Sequence, residues 1–131
     1  MEEVQKGGEM KGHKWMRVWQ NADRIEQLAL KMSKKIPRYN FRLKSQIDRA
    51  SNSIIANFVE GYYSGSTLEY LLRFIKYGKR SLGELQQHFQ SCLHRKYITN
   101  EEFNEMNTLC WQTMYLFDRL IRALNKKIGD T

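Results

Sequence analysis

The sequence predicts an all-α protein, an antiparallel up-down-up-down four-helix bundle, on three observations. Apolar residues recur at alternating steps of three and four along four long stretches. One proline, Pro37, and eight glycines in 131 residues are too few turn-formers for a β-sandwich. The breaks near Pro37–Asn40, Tyr62–Gly65 and Lys96–Ile98 are short enough to force neighbouring helices antiparallel. The length suits one domain. Residues 1–14, polar and glycine-bearing, read as a flexible N-terminal tail, and residues 15–131 as the bundle.

Each helix has local grounds. Trp15, Val18, Ala22, Ile25, Leu28 or Ala29, Met32 and Ile36 form the first apolar face. Pro37 ends it, because it disfavours helical geometry at Ile36 and has no N–H. The second helix starts near Asn40–Leu43, with Leu43, Ile47, Ala50, Ile54 and Phe58 as its stripe and Gly61 as its expected C-terminal cap. The third is expected to begin with a capping box, Ser66 with Glu69, and to run about 28 residues. Its stripe is Leu68, Leu71, Ile75, Gly78, Leu82, Leu85, Phe89 and Cys92. Gly78 and Gly83 each cost ~1 kcal/mol in a helix, for which close approach of a neighbour is the usual compensation. Thr99 and Glu102 make a second capping box, before Phe103, Met106, Cys110, Thr113, Phe117, Leu120, Leu124 and Ile128; Gly129 ends that helix.

Two helices carry more apolar surface than a single bundle needs. Tyr70, Phe74 and Tyr77 run beside the third stripe, and Trp111, Met114 and Tyr115 lie outside the fourth. Aromatics and Met are enriched at subunit contacts, so these six are the expected oligomer interface. The alternative is a broadened core.

Charge constrains the function class. The net charge is +8, which favours acidic partners. Residues 15–38 hold six positives and two negatives, net +4, as do residues 62–97, whereas residues 98–131 hold four and five, net −1. Lys34, Lys35, Arg38, Arg42 and Lys44 crowd the first turn with Tyr39 and Phe41; Arg73, Lys76, Lys79 and Arg80 cluster on the third helix. Basic residues interleaved with aromatics suit single-stranded nucleic acid, which needs phosphate neutralisation and base stacking. The alternative is a solubilising positive surface.

Catalytic and metal signatures are missing. No nucleophile elbow, P-loop or Gly-x-Gly-x-x-Gly occurs, nor the Glu-x-x-His pair of di-iron bundles. His88 and Cys92 are spaced i, i+4, but His94 lies on another face and Cys110 on another helix, so the reading is no metal and no cofactor. Glu60 and Glu84 could approach one another, but two carboxylates do not define an acid/base site. Two cysteines form no disulfide framework, and no secretory h-region or membrane-spanning run occurs, which makes a reducing cytoplasm the expectation.

The second helix has a polar stripe, Gln46, Arg49, Ser53, Asn57 and Glu60. Ser and Asn compete for the backbone and are poor helix formers, so a structural hydrogen-bond network with Ser81 and Glu84 rivals a plain solvated face.

Gln46, Arg49, Ala50, Ser53, Ile54, Asn57, Glu60 and Gly61 follow the pattern Q-x-x-R-A-x-x-S-I-x-x-N-I-x-E-G. Ser66, Glu69, Phe74, Ser81, Leu82, Glu84 and Leu85 continue it. Over about residues 19–124 the chain resembles the bacterial four-helix-bundle proteins encoded in intervening sequences of large-subunit ribosomal RNA genes. It departs at Phe58, where the family tends to Ile, at Val59, where it has a small residue, and at Arg80, often Gly. The resemblance implies a non-enzymatic homopentamer. It also implies kinship with the accessory variability determinant of diversity-generating retroelements, a basic pentamer that works with a reverse transcriptase and its template RNA. The expected function is a nucleic-acid-associated accessory factor, with RNA or an RNA–protein complex preferred. The competing expectation is a protein-interaction scaffold whose aromatic helix face and positive surface dock an acidic protein.

Overall fold

The protein, a computed structural model, is described over residues 16–63 and 67–130. The expected tail, Trp15 and Ser66 lie outside the described residues. Four helices follow in order: α1 (Arg17–Ser33), α2 (Phe41–Tyr63), α3 (Leu68–His94) and α4 (Asn100–Gly129), with a 3₁₀ turn at Arg38–Asn40 leading into α2. Contacts run α1 to α2, α2 to α3, α3 to α4, and α4 back to α1, so the helices form a square, antiparallel bundle.

The predicted stripes fill its interior. Ile25, Ile47, Ile54, Phe58, Ile75, Leu82, Leu85, Phe89, Met106 and Phe117 are all essentially inaccessible. Each such side chain contributes about 1.5–3 kcal/mol of burial relative to exposure. Thr113, the one hydroxyl at the centre of the α4 stripe, is satisfied locally by donating to the Leu109 carbonyl at 2.7 Å.

Three boundaries differ from expectation. α1 ends at Ser33, before Ile36; a tight turn carries the chain on, with Lys35 N–H donating to the Met32 carbonyl and Ile36 N–H to that of Ser33. Ile36 is still buried, so the apolar rhythm outlasts the helix. Gly61 does not cap α2, which continues to Tyr63. A Cβ on Gly61 would come within 3.1 Å of both Leu71 Cδ1 and Phe74 Cβ, so its role is close approach of α3. Finally, α3 is capped by Thr67, whose hydroxyl accepts from the Tyr70 N–H at 3.1 Å. Thr67 is extended and immediately precedes Leu68, the position from which a side-chain oxygen reaches the third helical N–H.

The glycine expectation for α3 divides. A Cβ on Gly78 would meet the Phe117 ring at 3.3 Å, whereas one on Gly83 would meet nothing within 4 Å. The second capping box is present: Thr99 accepts from Glu102 N–H at 3.1 Å and Glu102 accepts from Thr99 N–H at 2.8 Å. In the preceding turn Lys96 is left-handed, at φ 63°, which lets Tyr97 N–H reach back to the Cys92 carbonyl.

Candidate nucleic-acid interface

Basic residues reach one end of the bundle from three segments. Lys34 and Lys35 follow α1, Arg38 and Tyr39 sit in the 3₁₀ turn, and Phe41, Arg42 and Lys44 open α2. α3 runs antiparallel to α2, so its C-terminus arrives at the same end and adds His94, Arg95 and Lys96. Sequence reading left Arg95 and Lys96 out of this cluster. Half a chain separates them from Arg42, and only the hairpin register pointed to their meeting.

Carboxylates divide that end into two sides. Glu102 and Glu105, near the start of α4, face α1, where Glu102 pairs with Lys35 and Glu105 with Arg24 at 3.5 Å. Lys34, Arg38, Arg42, Arg95 and Lys96 have no carboxylate partner among the described residues. Tyr39 and Phe41 stand among them 81% and 72% exposed. A buried position for either ring would have broadened the core; their exposure leaves two flat apolar faces in water beside unpaired cations.

Tyr97 ties the turn to α2. Its phenol oxygen accepts from the Asn40 amide at 3.3 Å, and Asn40 also accepts from Leu43 N–H at 3.4 Å. The Asn40 donor, aided by Tyr39 and Arg95, holds the Tyr97 phenol below its ordinary pKa, and donation to Tyr97 raises that of Tyr39.

The second cluster is arranged differently. Lys79 turns to α4 and pairs with Asp118 at 2.6 Å. Arg73 lies over the Tyr70 ring, 5.4 Å from its centroid, and Arg80 over Tyr77 at 5.5 Å; Lys76 is exposed. Along α3, Arg80 and Arg73 are about 22 and 33 Å from Arg95 at ~1.5 Å per residue. The two clusters therefore form separate patches.

The polar stripes of α2 and α3 face each other across their common seam. Ser81 donates to the Ser53 hydroxyl at 2.9 Å, and the Asn57 amide reaches the same hydroxyl at 2.9 Å and the Ser53 carbonyl at 2.8 Å. Tyr70 donates to Glu60 at 3.3 Å. Gln46, Arg49 and Glu84 instead line a surface groove of about 470 Å³ with Ser53 and His88. Burial holds the His88 imidazole below its ordinary pKa, with Glu84 opposing the shift and Arg49 reinforcing it. Glu60 and Glu84 do not converge: from the Ser53–Ser81 contact they lie about 15 Å apart along the seam at ~1.5 Å per residue. The register sets Glu60 near Tyr70 and Glu84 near Arg49.

The six aromatic and Met candidates for an interface occupy opposite faces. Tyr70, Phe74 and Tyr77 are half-buried and pack in a row on the α2–α3 side, with centroids 4.9 and 5.4 Å apart. Trp111 and Tyr115 are 60% and 59% exposed on the α1–α4 side, where they line a groove with Arg17 and Arg119. Met114 is half-buried and packs against the core.

Among the described residues no three His, Cys, Asp or Glu side chains converge as metal ligands. His88 lines the seam groove while Cys92 is buried in the core. Among the same residues no helix is long and apolar enough to cross a membrane.

No curated protein matches the chain. The model of one family, 23S rRNA-intervening sequence protein, matches residues 14–118, a span that takes in α1, α2, α3, the seam and both basic clusters. That match covers most of a chain folded as a four-helix bundle: the chain belongs to the 23S rRNA-intervening sequence protein family.

Proposed function

We propose that this protein is a non-enzymatic, oligomeric accessory factor that associates with RNA. The observation that carries this reading is the end of the bundle where Arg38, Arg42 and Arg95 lack carboxylate partners among the described residues and stand beside exposed Tyr39 and Phe41. Guanidinium groups neutralise phosphates, and the two rings offer stacking platforms for unpaired bases. The family description, with its reference to 23S rRNA, agrees with an RNA partner. In this reading the assembly is a cytoplasmic homopentamer that multiplies the patch, and a reverse transcriptase with its template RNA is the class of complex it serves.

The test is binding of a short single-stranded RNA, followed by anisotropy between about 50 and 200 mM salt. Affinity falling steeply with salt, and weakened by Tyr39→Ala with Phe41→Ala, is the expected result. Affinity indifferent to salt overturns the reading. Trp111 and Tyr115, exposed on the α1–α4 side, favour a second reading as a protein scaffold. Partners that survive nuclease treatment in a pull-down would support that one instead.

A further inference from the structure

A second concave feature lies on the seam, nearer the basic end of the bundle than the Ser53–Ser81 contact. It is a groove of about 450 Å³ between the first turns of α2 and the last turns of α3. Such a volume falls within the ~300–1,000 Å³ of small-molecule sites. Arg42 stands on one bank, Arg95 on the other, and His88 and His94 beside them. The described lining residues include no carboxylate, and Leu43 is its one apolar side chain. Gln46 and Gln90 supply amide donors.

Parts of this lining are held in place. Arg95 Nε donates to the Ser91 hydroxyl at 3.3 Å, and Gln90 and His94 are hydrogen-bonded at 3.1 Å. Asn40 is pinned by Tyr97 and by the Leu43 N–H. The α2 N-terminus and the α3 C-terminus carry opposite partial charges, so the helix dipoles largely cancel and the side chains set the field. Two guanidinium groups with several neutral donors, and no carboxylate in the described lining, suit a compact, multiply accepting anion.

We propose that this groove is a phosphate site, taking one phosphate group of a nucleotide or nucleic-acid strand between Arg42 and Arg95. It deepens the RNA reading, naming the place where a backbone phosphate would seat, yet it can be tested without RNA. The shared chemistry is the phosphate; a free nucleotide and an internal phosphodiester are its two sources.

The experiment is an NMR titration of the ¹⁵N-labelled full chain with inorganic phosphate, AMP, the dinucleotide ApA and adenosine. Phosphate and AMP are expected to shift the Gln46 and Gln90 side-chain amides and the imidazoles of His88 and His94, while adenosine leaves them in place. Arg42→Gln and Arg95→Gln, both exposed positions, are each expected to weaken AMP by about tenfold or more with the helical circular dichroism unchanged. A larger response to ApA than to AMP assigns the site to a strand, and the reverse to a free nucleotide; both support the phosphate site. Absence of groove shifts with every phosphate-bearing probe, equal shifts with adenosine, or unchanged affinity in both arginine variants would overturn it. Single-stranded RNA separates the two claims. RNA binding without any groove response overturns the groove alone, and AMP binding without RNA binding overturns the RNA reading alone.

Discussion

The hydroxyl of Ser81 on α3 donates to the hydroxyl of Ser53 on α2 at 2.9 Å, and the same Ser53 oxygen accepts from Asn57. One oxygen thus takes two donors, Ser81 from across the α2–α3 seam and Asn57 from the next turn of α2 itself. Ser81 is buried, so a lost partner leaves a group that water reaches poorly.

Ser53→Ala therefore costs more than Ser81→Ala. Urea unfolding should show a loss of about 1 kcal/mol for Ser81→Ala and roughly 1–3 kcal/mol for Ser53→Ala. A double-mutant cycle should return a coupling of at least about 0.5 kcal/mol. Additive effects would mean that the contact contributes nothing of its own.

Three glycines within helices should respond to alanine in opposite directions. Gly83 has open space at its Cβ, so Gly83→Ala should stabilise by about 1 kcal/mol through helix propensity. Gly61 has Phe74 Cβ and Leu71 at 3.1 Å, and overpacking there costs about 1–3 kcal/mol. Gly78 faces the Phe117 ring at 3.3 Å and should fall between them. Thermal melts of the three variants read the order directly.

Acid should act on the α1–α4 contact. Lys35, and then the Thr99 N–H, hold the Glu102 carboxyl below its ordinary value of 4.5. A carboxylate with a lowered folded pKa adds stability that is fully present above the unfolded value and lost as pH falls through the folded one. Melting temperature should thus drop below about pH 4.5 more steeply in the parent than in Glu102→Gln. His88 adds a loss of the same sign at higher pH, because burial lowers its folded pKa beneath 6.5. Parallel curves for parent and Glu102→Gln would remove Glu102 from the explanation.

Both thiols should be inert in the native protein. Burial pushes Cys92 up to about 11 and Cys110 up to about 12. At pH 8 a thiol with a pKa near 11 is thiolate in roughly one molecule per thousand, and the thiolate is the reactive form. Ellman's reagent should report almost no thiol until denaturant is added, and then both. Rapid native labelling would show that the core opens locally.

Salt slopes should distinguish paired from unpaired cations. For single strands the slope of log K on log salt changes by about 0.7 per phosphate contact. Arg38→Gln should lower the slope of RNA binding by about that amount. Lys35→Gln should change it less, because Glu102 already engages that ammonium group.

The bundle was legible because its causes are local. Leu43, Ile47, Ala50, Ile54 and Phe58 recur at helical spacing, and all five are buried. Thr99 and Glu102 satisfy each other across three residues, so that cap follows from the sequence alone. The same local logic failed at α3. Ser66 with Glu69 matched a capping box on paper, but the helix starts at Leu68 and Thr67 takes the capping position.

What no local pattern carries is the identity of a residue's neighbour on another helix. Gly61 looks like a helix terminus until α3 packs against it, and Gly78 and Gly83 look alike until Phe117 stands beside one of them. Lys35 and Arg38 read as equivalent cations three residues apart, yet the start of α4 neutralises one and not the other. Arg42 and Arg95 share a groove because α2 and α3 run antiparallel in one register. Helical periodicity decides which face of each helix turns inward; the packing of four such faces decides which charges are left unpaired, because an ion pair depends on distance in space and not along the chain.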